Sequence, residues 1–512
     1  MLISKSKKIK KMRQKIFTLC LIISVCFVGM SCNQNNEKDN SSFEKKPKYI
    51  FYFVGDGMST PQINMAEKAV SEENFITKFN SKTCNKYNIS SRKLRLREFS
   101  SAGMATTYAE NRYITGSAAA ATALATGYKT TINTISMNGD RSQKLKTIAE
   151  IFHQQGYKIG IISSVGIDNA TPACFYAHTE DRNNYEIIDS FLLSSNFEFF
   201  GGGFVRHDVF KKMNSQSFVD SLKSRGYSVC FGQEELKNIT KETAKVFATV
   251  ARSRDSVYDG ASLPYNIDLS EIGNQDNITL ADFVKKSIEN LDNDKGFFLF
   301  TEGGKIDWAG HANDAVTNVY ETIALDAAIG AALDFYYQHP DETLIVFTGD
   351  HECGGLTLGY AGTDYDSAFA LMGNQNCSAF EFQQKMTVWI KENKSFDFIL
   401  QQLKLYFGLG TEGCQLSDYE LKRLQNAYNE SISSTKTIGD EEYHILYGSY
   451  EPVTVTACHI LNNKSGVDWT SFSHTALPVP VFAIGCNSSI FNGYYDNTDI
   501  PKKIALSAGI NL

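Results

Sequence analysis

Tyr49-Ile50-Phe51-Tyr52-Phe53-Val54-Gly55-Asp56-Gly57 is an unbroken apolar run that stops at an aspartate set between two glycines. Six apolar residues in a row leave no polar face. The run therefore reads as a strand covered on both sides, the environment of a parallel sheet. The pattern repeats outward from it. Residues 61–69 read as the helix that follows. Residues 145–155 have helical spacing, and 158–164 (KIGIISS) read as a strand. Residues 280–291 and 316–337 are helical in spacing, each followed by an apolar strand, 296–301 (GFFLFT) and 343–348 (TLIVFT). This alternation predicts an α/β fold with a large central, mostly parallel sheet and helices on both faces. In such sheets ligands bind beyond the C-terminal ends of the strands, which is where Asp56 falls.

Residues 364–446 break the pattern. They are charged, with helical pieces at 380–392 and 417–430, and read as a helical insertion outside the sheet. The insertion either covers a pocket or meets a second copy of the chain in a homodimer; both readings stay open. An apolar strand resumes at 479–484 (VPVFAI).

The first 32 residues read as a targeting segment. Lys5, Lys7, Lys8, Lys10, Lys11, Arg13 and Lys15 make a basic start, and 16–30 is an apolar run short for a membrane span. Gly29-Met30-Ser31-Cys32 closes it. The segment is either a lipoprotein signal, with Cys32 carrying the lipid anchor, or an ordinary cleaved signal peptide. Both imply export to the periplasm or cell envelope. Residues 33–47 form a polar linker, and 48–512 the folded domain. Eight of the eleven cysteines lie beyond the leader. They show no CxxC spacing, so no cysteine zinc site is expected. A net charge of −7 over 512 residues argues against nucleic acid as a specific partner and leaves room for a small anionic substrate.

Several candidate ligands sit at strand ends. Asp56, Glu302, Asp350 and His351 each close or follow a strand, and Asp307 and His311 are one helical turn apart. Carboxylates and imidazoles converging on one sheet edge suit zinc, and oxygen-only sets suit magnesium. The stretch Thr115-Gly116-Ser117-Ala118-Ala119-Ala120-Ala121 adds a serine at a helix start, where free N–H groups favour an anion. Ser117 is either an N-cap or a nucleophile. His153 and His178 read as structural, Lys305 as a surface or supporting charge, and Glu352 as either solvated or supporting.

These segments resemble, in order, the motifs of the alkaline phosphatases. Val54-Gly55-Asp56-Gly57-Met58 is similar to their first metal motif, and Ser117-Ala118-Ala119 with Thr126-Gly127 to their nucleophile helix. Ala170-Thr171-Pro172-Ala173 through Arg182 resembles their magnesium-and-arginine segment. Glu302 to Asp307 with His311, Thr348-Gly349-Asp350-His351-Glu352 and His474-Thr475 complete the series. The resemblance implies two zinc ions and one magnesium ion. Asp307, His311 and His474 would hold the first zinc, and Asp350, His351 and Asp56 the second. Asp56 would bridge to magnesium with Thr171 and Glu302. Ser117 would be the nucleophile, Arg182 would grip phosphate oxygens, and phosphate monoesters would be the substrates. Three positions depart from the family pattern. Gly116 stands where many members carry Asp, Asn169 where Asp or His is usual, and Trp308 where some have Lys or His. Trp308 cannot offer charge to phosphate but can wall the pocket. These changes are expected to tune affinity and metal preference and to leave activity intact. The competing readings are a phosphodiesterase on the same metal core and a surface lipoprotein that binds phosphate or metal without turnover. A sulfatase is disfavoured, because alanines follow Ser117 where Pro and Arg would be needed.

Overall fold

The computed structural model describes residues 45–87, 89, 92–206, 215–250, 261–271 and 278–512. The leader with Cys20, Cys26 and Cys32, and His207, lie outside the described residues. Among the described residues, ten strands form one sheet: β1 (Tyr49–Gly55), β2 (Ser101–Thr106), β3 (Lys158–Gly166), β4 (Phe199–Gly203), β5 (Tyr227–Phe231), β6 (Lys245–Thr249), β7 (Phe297–Gly303), β8 (Thr343–Gly349), β13 (Val479–Gly485) and β14 (Gly493–Asp496). Four short strands, β9 (Glu352–Cys353), β10 (Thr357–Leu358), β11 (Val467–Asp468) and β12 (His474–Thr475), pair outside it. The sheet order is β14-β2-β13-β8-β1-β7-β3-β4-β6-β5. Within this sheet every described strand but β13 runs in one direction; β13 is antiparallel to both β8 and β2.

The opening run is a central strand of this sheet. β1 lies between β8 and β7 and is buried over its whole length. Its side chains alternate: Tyr49, Phe51 and Phe53 enter one core, Ile50, Tyr52 and Val54 the other. Helices Thr60–Ser71, Leu280–Leu291 and Ala315–Tyr336 cover the first face. Helices Ser117–Thr126, Ile148–Gln154, Tyr185–Ser195 and Asp499–Ser507 contribute to the second. The helix Ser117–Thr126 is buried on all sides. It is alanine-rich because it packs closely against Ala170–Ala173, and Gly127 in the left-handed region ends it at φ 76°.

The segment after β10 contains helices Ala379–Lys391, Phe396–Phe407, Asp418–Ile432 and Asp440–Tyr447 and adds no strand to the main sheet. Two buried carboxylates bind its first helix to the body of the protein. Asp268 accepts from Ser378 N at 2.9 Å and Ser378 Oγ at 2.7 Å. Asp314, which also caps Ala315–Tyr336, accepts from Ala379 N at 2.7 Å and Gln375 Nε2 at 2.8 Å.

Candidate active site

Strand register assembles the site. Gly55 pairs with Gly303 on one side and Gly349 on the other, and Val54 pairs with Glu302. Asp56 and Asp350 therefore leave the sheet side by side, with Glu302 next to them. Gly57 makes a close approach that a side chain would block: its φ is 69°, and a Cβ there would lie 2.6 Å from Asp307 Cα. Its N–H donates to Asp350 Oδ1 at 3.1 Å. Beyond β7 the chain turns at Gly304 into helix Lys305–His311. Asp307 and His311 share one face there, with Oδ2 and Nε2 3.3 Å apart.

His474 arrives from far along the chain through β12, which pairs with β9 so that His474 faces Cys353. Its Nε2 is 3.1 Å from His311 Nε2 and 3.5 Å from Asp307 Oδ1, and its Nδ1 meets Thr115 O at 2.9 Å. The His351 ring stacks on His474 with centroids 3.6 Å apart. His351 Nε2 is 3.3 Å from Asp56 Oδ1, 3.2 Å from Asp350 Oδ2 and 3.4 Å from Ser117 Oγ. Gly116 is the N-cap of the alanine-rich helix, and Ser117 makes no capping bond; the Ser117 hydroxyl faces His351.

Thr171 Oγ1 donates to Asp56 Oδ2 at 3.4 Å, and the Ser163 hydroxyl donates to Glu302 Oε2. Arg182 is half-buried, and its Nη2 donates to Asn169 Oδ1 at 2.9 Å. Its charge disfavours protonation of His311 and His474, which places it by the same cluster. Trp308 is half-buried and lines, with His311, a cavity walled by aromatic rings.

Four carboxylates are buried together, and their electrostatics reflect it. Burial, then repulsion from Asp350, Asp307 and Glu302, pushes Asp56 well above the usual carboxylate range; burial and Asp307 do the same to Asp350. Burial raises Glu302 to about 7. Asp307 goes the other way, because His311, His474 and His351 outweigh its burial and hold it far below that range. Asp307 in turn raises His311 to about 9, while burial lowers His351.

Asp56 Oδ1, Glu302 Oε1, Asp307 Oδ1, Asp350 Oδ2 and His351 Nδ1 are buried with no hydrogen-bond partner. Leaving such groups unsatisfied costs about 1–3 kcal/mol each, more when charged. The ligand atoms of Asp307, His311, Cys353 and His474 lie within 4.8 Å of one another, as do those of Asp56, Asp307 and His351. Orphaned oxygen and nitrogen donors crowded at one centre fit divalent cations. Cys353 joins this set although cysteine spacing gave no sign of it. The β9–β12 pairing is what brings it in.

A family model described as alkaline phosphatase matches residues 47–197 and 206–510. The chain belongs to the alkaline phosphatase family. It is 28% identical over 521 residues to alkaline phosphatase 3 of Bacillus subtilis (strain 168), covering 98% of this chain and 99% of that protein. It is similar to the crystal structure of a cold-active alkaline phosphatase from a psychrophilic Shewanella sp., with a TM-score of 0.70 and 28% identity over 90% of this chain and 99% of that one. The structure of the Thermus thermophilus alkaline phosphatase shares the fold, with a TM-score of 0.72 and 22% identity over 94% and 96% of the two chains. The protein is thus a phosphatase, with clustered ligand atoms that could hold metal ions.

Lys305 is not a surface charge. It is buried, its Nζ donates to Leu263 O at 2.6 Å and lies 3.4 Å from the Tyr265 ring centroid. Glu352 is buried too, accepting from Gln62 Nε2 at 2.8 Å and from Gly355 N and Leu356 N at 3.0 Å. His178 is buried between Ser136 O at 2.9 Å and Glu150 Oε1 at 3.0 Å.

Proposed function

We propose that this phosphatase hydrolyses phosphate monoesters through a phosphoserine at Ser117, with two zinc ions and one magnesium ion as cofactors. The observation that carries the reading is the Ser117 hydroxyl, free of any capping role and 3.4 Å from His351 in a pocket of orphaned carboxylates. Asp307, His311 and His474 would hold one zinc, Asp56, Asp350 and His351 the other, and Asp56, Thr171 and Glu302 the magnesium. Bound cations supply positive charge that acidifies a coordinated hydroxyl and offsets charge on a departing oxygen. Ser117 Oγ attacks phosphorus in line, the bond to the alcohol oxygen breaks, and the alcohol leaves with a proton. Arg182 and the free amides at the start of helix Ser117–Thr126 hold the equatorial oxygens. Water then attacks the phosphoserine and returns the Ser117 hydroxyl. The basic and apolar leader supports export, with Cys32 either carrying a lipid or removed with a cleaved signal peptide.

With Gly116 in place of an acidic side chain, the Asn169 contact is what orients Arg182. Asn169→Ala should weaken inhibition by inorganic phosphate roughly tenfold, the size of one hydrogen bond to a charged group. Unchanged inhibition would remove Asn169 from phosphate binding.

The deciding experiment is hydrolysis of a chromogenic aryl phosphate by the chain lacking residues 1–32, with chelator and then with zinc and magnesium restored. Activity lost to chelator and regained with both metals is the expected result. Activity indifferent to chelator, or diester hydrolysis exceeding monoester hydrolysis, would overturn the reading.

A further inference from the structure

We propose that a cavity beside His311 receives the organic part of the substrate, and that it selects monoesters whose leaving group carries a planar aromatic ring. The inference rests on the phosphomonoesterase reading with Ser117 as nucleophile. The cavity measures about 220 Å³, and Tyr265, Trp308, His311, Phe380 and Tyr450 line it. An apolar cavity of about 150 Å³ is enough to hold benzene, so this one admits a single ring with short substituents.

Its place matches the direction of the reaction. Ser117 Oγ is 3.4 Å from His351, His351 stacks on His474 at 3.6 Å, and His474 Nε2 is 3.1 Å from His311. The cavity borders His311, which this series of contacts links to Ser117 through His474 and His351. In-line displacement expels the leaving oxygen opposite the nucleophile, on this reading toward His311 and this cavity.

Its chemistry narrows the ligand class. Trp308 follows Asp307 on helix Lys305–His311, and Phe380 lies on helix Ala379–Lys391. The Tyr265 ring, with Lys305 Nζ at 3.4 Å from its centroid, packs against Phe380 at 6.3 Å. These rings form a wall suited to stacked and edge-on aromatic contacts. Two of the polar side chains at the lining, Asp314 and Ser378, are engaged within the protein. Asp314 accepts from Thr317 N at 3.0 Å and Ala379 N at 2.7 Å, and the Ser378 hydroxyl donates to Asp268 at 2.7 Å. A polyhydroxylated leaving group would lose hydration here and find few partners in return. The stretch after β10 thus supplies one side of the substrate pocket.

The test compares phenylphosphonate with methylphosphonate as competitive inhibitors of the metal-loaded full chain. Neither is hydrolysed, so leaving-group reactivity does not enter. Phenylphosphonate is expected to bind at least tenfold more tightly, to quench Trp308 fluorescence in a way that Trp308→Phe abolishes, and to lose most of its advantage over methylphosphonate in Phe380→Ala. Equal inhibition by the two phosphonates in the unmodified chain overturns the cavity assignment, whether or not the variants fold. Inorganic phosphate separates the causes. If it inhibits while the phenyl group adds nothing, the cavity proposal alone fails. If neither it nor either phosphonate binds, the phosphomonoesterase reading fails and the cavity assignment with it.

Discussion

Ser117→Ala should lower turnover of phosphate monoesters by at least on the order of 10⁴-fold, the scale seen when a covalent nucleophile is removed, and should leave no phosphate on the protein after an acid quench. The reason is local. Ser117 begins a helix whose cap is Gly116, and its hydroxyl has no capping partner. Removing it should therefore leave the helix intact. The fold, the carboxylate cluster and inorganic phosphate binding through Arg182 should persist, so the loss would read as chemistry. Mass spectrometry of the quenched protein, run beside a thermal melt, checks both halves. Full turnover in the alanine variant would transfer the attack to water.

Stripping the metals should cost at least on the order of 10³-fold in rate, the several kcal/mol that cation charge contributes to a developing transition state. It should also soften the fold. Asp56, Glu302, Asp307 and Asp350 are all buried, and each keeps an oxygen without a hydrogen-bond partner. Cations held at about 1,000 times their dissociation constant would stabilise the native state by about 4 kcal/mol. The pH dependence has a definite sign. Without metal, Glu302 keeps a proton up to about pH 7, and Asp56 and Asp350 are shifted upward as well. A cation needs the ionised carboxylates, so its binding releases protons, and affinity falls as pH falls through about 7. Chelator should strip the protein faster at pH 6 than at pH 8, and calorimetry should record proton release on reloading. A melting temperature unmoved by chelator would argue that the cluster holds no structural cation.

What the residues announce and what they conceal follows from how each was placed. β1, β3, β7, β8 and β13 lie in the interior of the sheet, so their apolar runs are continuous and readable. β2 (SAGMAT) is built mostly from small residues that alternate between buried and partly exposed, and β4 (FFGGG) is short and glycine-rich, so neither stands out. The reversed direction of β13 is equally hidden, because a buried antiparallel strand looks apolar too. Asp56, Glu302 and Asp350 were legible because strand ends mark them. Cys353 and the Asn169–Arg182 bond were not, since both depend on contacts between distant segments. Lys305 could be read as either a surface or a supporting charge, because nothing in its neighbours along the chain tells that it lies under Tyr265. The aromatic cavity was invisible for the same reason, its walls coming from separate parts of the chain.

The central position of β1 has a consequence for how the polypeptide comes together. β1, the first strand of the described residues, finds its partners only near residues 300 and 345, and His474 arrives later still. Contacts so distant along the chain make folding slow. A nascent chain released early would present a bare apolar strand to its neighbours. A carrier that keeps β1 covered until β8 has emerged should raise the yield of native protein more than any substitution that strengthens the finished core.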